Sequence, residues 1–268
     1  MALLDLPMVA PERVVSGFRP FKVLHHFGKL VEDKEDTEQV FHIIEATKGK
    51  KSHRQAWDFI ASEDGQRFLR DEVDIPTMLD AHEDWADLPD NSVAKKYIAF
   101  MKREGLSAQG LVDESHKWAP AERRPNDQTE WYFNRLRDTH DLFHVLTGYG
   151  RDALGEAALL GFTYSQNYNP GILFIGYAAT RQIKKVTGTN APLFRAVREG
   201  QRLGKAAQKL AHMDVAAVMR EDIDEARARL GIGKPVIYRQ CLAALQAEGF
   251  DKESLDLSEK DPVAPQAA

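Results

Sequence analysis

The chain has 268 residues, of which 43% are hydrophobic, enough for a substantial core, and a formal net charge of −5. Acidic and basic residues are interspersed without a basic block, which excludes DNA or RNA as a partner. Cys241 is the single cysteine, so intrachain disulfides and Cys-rich zinc scaffolds are excluded and a reducing compartment fits best.

The first residues, Met1-Ala2-Leu3-Leu4-Asp5-Leu6, carry an early acid and no basic stretch, so no secretion signal is expected. Residues 1–20 read as an N-terminal arm. Asp36-Thr37-Glu38-Gln39 resembles a capping box ahead of Val40, Ile43 and Ile44 at helical spacing. A second helix is expected from Asn91-Ser92 to Gly105, with Val93, Tyr97, Phe100 and Met101 inward. Asp127-Gln128-Thr129-Glu130 caps a third, which the pattern of Trp131, Leu136 and Leu142 extends as one long helix past position 140.

Pro170-Gly171 precedes an apolar segment, Ile172 to Ala179, and Asn190-Ala191-Pro192 opens a helix with Leu193, Phe194, Val197 and Leu203. The apolar run from Gly171 to Ala179 is about half the length needed to cross a bilayer, so no transmembrane helix is expected. Helix is predicted over Asp214–Leu230 and over Val236–Phe250, the latter with Ile237, Cys241, Leu242 and Leu245 as its stripe. Gly231-Ile232-Gly233-Lys234-Pro235 between them reads as a helix stop, since it lacks the spacing and hydroxyl of a phosphate loop. Strand signals are scarce. The expectation is an all-α fold in a single helical domain, 21–250, with a polar, disordered tail at 251–268.

His140, Asp141, His144 and Glu156 form the pattern H-D-x-x-H-x11-E. On a helix, positions i and i+4 share a face and i+1 lies about 100° away, so the histidines can chelate one cation with Asp141 beside it. Gly148-Tyr149-Gly150 interrupts the periodicity midway between His144 and Glu156. An antiparallel turn there brings Glu156 level with His144. Two imidazoles and two carboxylates suit zinc best, with iron, manganese or magnesium as other divalent choices.

The stretch Arg137-Asp138-Thr139-His140-Asp141-Leu142-Phe143-His144-Val145-Leu146-Thr147-Gly148-Tyr149-Gly150, followed by Glu156, resembles the fourth coenzyme Q biosynthesis protein family. Ile44-Glu45-Ala46-Thr47-Lys48-Gly49, Leu88-Pro89-Asp90-Asn91-Ser92, Phe162-Thr163-Tyr164-Ser165-Gln166 and Arg227-Ala228-Arg229-Leu230-Gly231-Ile232 agree in order, so the resemblance spans about 21–232. Thr163-Tyr164 stands where that family often has a glutamate and an aromatic, and the helix at 236–250 looks like an addition to the family core. The resemblance implies an almost all-helical homodimer with a divalent metal on the four motif residues, working beside a membrane with other quinone-biosynthesis enzymes. It further implies replacement of the ring carboxylate of a polyprenylated 4-hydroxybenzoate intermediate by hydroxyl. The location expected is cytoplasmic, or peripheral on the inner face of a membrane.

Arg137 is a candidate for the substrate carboxylate or for a salt bridge to Asp141, and Tyr164 and Gln166 are candidates for contacts with the ring. The apolar positions from Ile172 to Tyr177 are candidates for holding a prenyl tail. Two other classes stand beside the enzyme: a scaffold or lipid carrier with a structural metal, and a phosphohydrolase recruiting His82 or His116 with Asp214 or Asp222. Cys241 reads as a small buried hydrophobe, because no basic group is placed to activate it.

Overall fold

The computed structural model describes residues 2–15, 17–32, 37–119 and 124–250, and among them there are helices and an isolated antiparallel bridge between Ser92 and Asp222, with no strand. The all-α expectation therefore holds. The helices are α1 (Pro20–Glu32), α2 (Thr37–Thr47), α3 (Lys50–Ile60), α4 (Glu63–Asp71), α5 (Ile75–Asp80), α6 (Val93–Glu104), α7 (Ala108–Trp118) and α8 (Gln128–Asp138). They continue as α9 (His140–Thr147), α10 (Ala153–Asn167), α11 (Pro170–Thr187), α12 (Leu193–Ala206), α13 (Val215–Arg220), α14 (Ile223–Leu230) and α15 (Val236–Ala247). The predicted cap Asp36 and the tail 251–268 lie outside the described residues.

Two compact units are each assembled from separated stretches. Among the described residues, the first takes those of 2–18, 48–146 and 209–231; the second takes those of 19–47, 147–208 and 232–250.

In the first unit, Phe59, Ile60, Phe68, Leu69 and Tyr132 close a buried cluster of α3, α4 and α8, with Trp57, Trp131 and Leu136 against it. Ser92 caps α6, accepting from the Lys95 amide at 3.2 Å, and Gly105 ends that helix as expected. Val93, Tyr97, Phe100 and Met101 are all buried. The N-terminal arm is tied down. Asp127, itself the cap of α8, accepts from the amides of Ala10 and Glu130 at 2.8 Å, and Arg13 pairs with the same carboxylate at 2.6 and 2.7 Å.

Two expected helices are broken. Over Asp214–Leu230 the chain turns at Glu221–Asp222, because the Glu221 carbonyl accepts from Val93 and the Asn91 carbonyl accepts from Ile223, each at 2.9 Å. Those bonds to a distant loop take the place of helical ones, and Asp222 then caps α14 through the amides of Asp224 and Glu225.

In the second unit α1 and α2 pack on α11, with Val23, Ile43 and Ala46 against Phe27, Phe174 and Ile175. Asn169 caps α11 through the Gly171 amide and also holds α2, donating to the Ile44 carbonyl and meeting the Thr47 hydroxyl at 2.5 Å. α10 lies between α11 and α12, and α15 closes over α12. Tyr238, absent from the predicted stripe of α15, is buried there beside Cys241 and Leu245. Burial, with Glu199 adding to it, pushes the Cys241 thiol up to about 11, consistent with an inert packing role.

Candidate metal centre

His140, Asp141 and His144 sit on a helix of their own. The long helix expected from Asp127 breaks at Thr139, which is buried with φ −96° and ψ 2°. Its hydroxyl donates back to the Arg135 carbonyl at 2.9 Å, a contact that bends helices. α9 then restarts with His140 and Asp141 in its first turn. Asp141 gains from the positive end of the helix dipole.

His140, Asp141 and His144 offer ligand atoms that all lie within 4.8 Å of one another. His140 is half-buried, Asp141 and His144 buried. A zinc ligand sits about 2.0–2.2 Å from the ion, so three ligand-type atoms this close are compatible with one shared cation. Two imidazole nitrogens and a carboxylate oxygen, shielded from bulk water, fit a divalent cation of the zinc class. The imidazoles meet edge to face at 5.1 Å, and the Phe100 ring of α6 stacks on His144 at 5.5 Å with 23° between planes.

The far end of α9 is held by a residue that motif reasoning left without a role. Arg227 of α14 donates to the carbonyls of Val145 and Leu146 at 3.0 and 2.9 Å. A cation at a helix C-terminus satisfies unpaired carbonyls and opposes the dipole. Arg227 stands in one of the stretches that carried the resemblance, but the partner carbonyls are 82 and 81 positions away, which no local pattern reveals.

Glu156 lies in the second unit, in the first turn of α10, with Arg151 at 3.6 Å. The segment before it contains Gly148, whose φ of 76° suits glycine. α10 itself is anchored through Asp152, which accepts from the Gly155 amide at 2.9 Å and from the Tyr238 hydroxyl at 2.5 Å. The same hydroxyl accepts from the Gly150 amide at 2.9 Å, so Tyr238 clamps the turn that leads into Glu156.

Arg137 pairs with Asp138 at 2.7 Å and donates to the Ser115 hydroxyl, also at 2.7 Å. The break at Thr139 interrupts the helical register that would carry it over His140. In the second unit, Tyr164 is half-buried beside the Tyr168 ring, its phenol raised by burial and then by Tyr168, and Gln166 is buried, donating to the Gly204 carbonyl at 2.6 Å. Asp214 and Asp222 are helix caps for α13 and α14, and Asp214 also pairs with Arg67 at 2.8 Å. No helix among the described residues is long and apolar enough to cross a membrane.

A protein of Neosartorya fischeri described as "Ubiquinone biosynthesis protein coq4, mitochondrial" is 27% identical over 195 residues, covering 72% of this chain and 65% of its own length. One from Aspergillus fumigatus with the same description is 27% identical over 194 residues, 71% of this chain and 64% of its own. The chain thus spans just under two thirds of the length of these curated relatives. A crystal structure of a protein from Nostoc punctiforme, provisionally assigned to ubiquinone biosynthesis, superposes with a TM-score of 0.58 at 19% identity. It covers 81% of this chain and all of its own, so the two share a fold. The family model for "Coenzyme Q (ubiquinone) biosynthesis protein Coq4" matches residues 25–236, and this chain belongs to that family.

Proposed function

We propose that this chain is a metal-dependent enzyme of ubiquinone biosynthesis that replaces the ring carboxylate of a polyprenylated 4-hydroxybenzoate-type intermediate by hydroxyl. The observation that carries the reading is the close set of His140, Asp141 and His144 in a member of this family. Glu156 joins them as the fourth ligand on the spacing of H-D-x-x-H-x11-E. Zinc is the metal favoured by the donor set, with iron, manganese or magnesium as alternatives.

In the net reaction, ArCOOH + H2O + O2 → ArOH + CO2 + H2O2, the carboxyl carbon leaves as CO2, one oxygen atom enters the ring, and the two electrons given up by the substrate reduce dioxygen to hydrogen peroxide. A divalent cation supplies Lewis-acid stabilisation of the negative charge that develops on the phenolic ring. The protein's own contribution is positional. His140 and His144 would offer imidazole nitrogens and Asp141 a carboxylate oxygen to the cation, and the Phe100 ring stacks on His144.

Arg137 is assigned to the substrate carboxylate, Tyr164 and Gln166 to the ring, and the half-buried apolar residues of α11 from Ile172 to Tyr177 to the prenyl tail. The chain works with other quinone-biosynthesis enzymes, peripherally on a membrane and as a homodimer. Phe21 and Leu24 of α1, 87% and 59% exposed, offer apolar surface for one of those contacts, and sizing with and without vesicles separates them.

His140→Ala or Glu156→Ala should abolish stoichiometric metal with little loss of helical circular dichroism. Undiminished metal in both purified variants would sink the ligand assignment. In cells blocked at the ring-carboxylate step, wild type should restore quinone and Asp141→Ala should not. Equal rescue by the variant would replace the enzyme reading with that of a scaffold.

A further inference from the structure

Tyr97 of α6 lies outside the motif of His140, Asp141, His144 and Glu156. The side chain is 0% exposed in α6, and its hydroxyl finds no hydrogen-bond partner among the described residues. Leaving a buried hydroxyl unsatisfied costs on the order of 1–3 kcal/mol, so a position of this kind asks for a reason.

The reason follows from where α6 points. Phe100, three residues on, stacks against His144 at 5.5 Å. Residues i and i+3 share a helix face, so Tyr97 stands on the face of α6 that carries Phe100, the ring stacked on His144. Burial foremost, and then the charges of Asp141 and Asp80, hold the proton on the Tyr97 oxygen. A phenol hydroxyl is a hydrogen-bond donor at neutral pH. Of these two carboxylates, Asp80 accepts from the amides of Ala108 and Gln109 at 2.8 and 2.9 Å, at the start of α7. Asp141 belongs to the cluster.

We propose that the Tyr97 hydroxyl is a positioning donor of the metal centre: it hydrogen-bonds the Asp141 carboxylate oxygen that is turned away from the cation. The inference rests on the metal reading above. A carboxylate that ligates through one oxygen keeps the other as an acceptor, and a donor on that oxygen fixes which rotamer the ligand holds. The bond is made as cation binding sets the Asp141 side chain. Such outer hydrogen bonds typically contribute about 10–100-fold to metal affinity.

The test is Tyr97→Phe in the full chain, measured first without metal and then by competition with a chromophoric chelator for Zn2+. The absorption of the Co2+-substituted protein provides a second readout. Metal-free Y97F should melt no lower than wild type, because the change removes an O–H that has no partner. Its Kd for Zn2+ should rise about 10–100-fold, and its Co2+ bands should shift. Equal Zn2+ affinity in the two proteins overturns the proposal. A clear fall in the melting temperature of the metal-free variant also overturns it, since that would mark the hydroxyl as a structural donor. If wild type itself binds no stoichiometric Zn2+, the metal reading fails before the variant is compared, so the two failures are distinct.

Discussion

The helices α8 and α9 in the first unit and the pair α10 and α12 in the second are both buried, by different chemistry. Along α8 and α9 buried polar groups with partners stand among the apolar ones: Asp127 answers two amides and Arg13, Arg135 donates to the carbonyls of Ala211 and Met213, and the His140–Asp141–His144 cluster follows. Between α10 and α12 the chain brings backbone to backbone. A Cβ on Gly200 would lie 2.1 Å from the Ala158 carbonyl oxygen, and one on Gly161 would lie 2.5 Å from that of Val197. The first segment carries buried charges that have partners, and the second relies on close backbone approach. Electrostatic satisfaction holds ionisable side chains in place, whereas dense packing gives a rigid support.

Substitutions probe this contrast, and the largest effect is expected at Asp127. Asp127→Ala removes a helix cap and leaves Arg13, 7% exposed in its side chain, with Glu130 alone. A loss of about 4 kcal/mol in chemical denaturation is expected, in line with breaking one side of a buried pair. A loss below about 1 kcal/mol would mean that this segment is held by packing like the other.

Gly200→Ala comes next. Its methyl group cannot be housed without moving α12 away from the Ala158 carbonyl, so about 3 kcal/mol should be lost, read as a lower melting temperature. A neutral result would show that the two helices are free to part.

The smallest effect tests the exception inside the apolar region. Tyr238→Phe deletes the clamp on Asp152 and Gly150 and should cost about 1.5 kcal/mol while leaving overall helix content unchanged. Hydrogen exchange at the Gly150 and Gly155 amides should quicken in the variant. Unchanged exchange there would remove the polar clamp from the account of α10.

Much of this was legible because capping chemistry is local. Ser92, Asp127, Asp214 and Gly105 mark helix ends in the structure where side-chain type alone placed them. Periodicity found the inner face of α6, and the ligand motif put His140, Asp141 and His144 within reach of one another. The breaks at Thr139 and at Glu221–Asp222 were not legible. At the second, the competing partners are main-chain groups of residues 91 and 93, and main-chain groups carry no mark in a sequence. Tyr238 was missed because its value lies in a hydroxyl that meets residues 86 and 88 positions earlier, whereas a helical stripe registers only apolar spacing.

The amino-acid sequence by itself determined the helical class, most helix ends, the clustering of His140, Asp141 and His144 and the family resemblance, since each depends on residues within a few turns of one another. Tertiary structure decided where helices break, which carbonyls Arg227 satisfies, and that Tyr97 stands on the α6 face whose Phe100 stacks on His144. Those outcomes depend on groups far apart in sequence that meet only when buried, where an unmet hydrogen bond costs enough to redirect the chain.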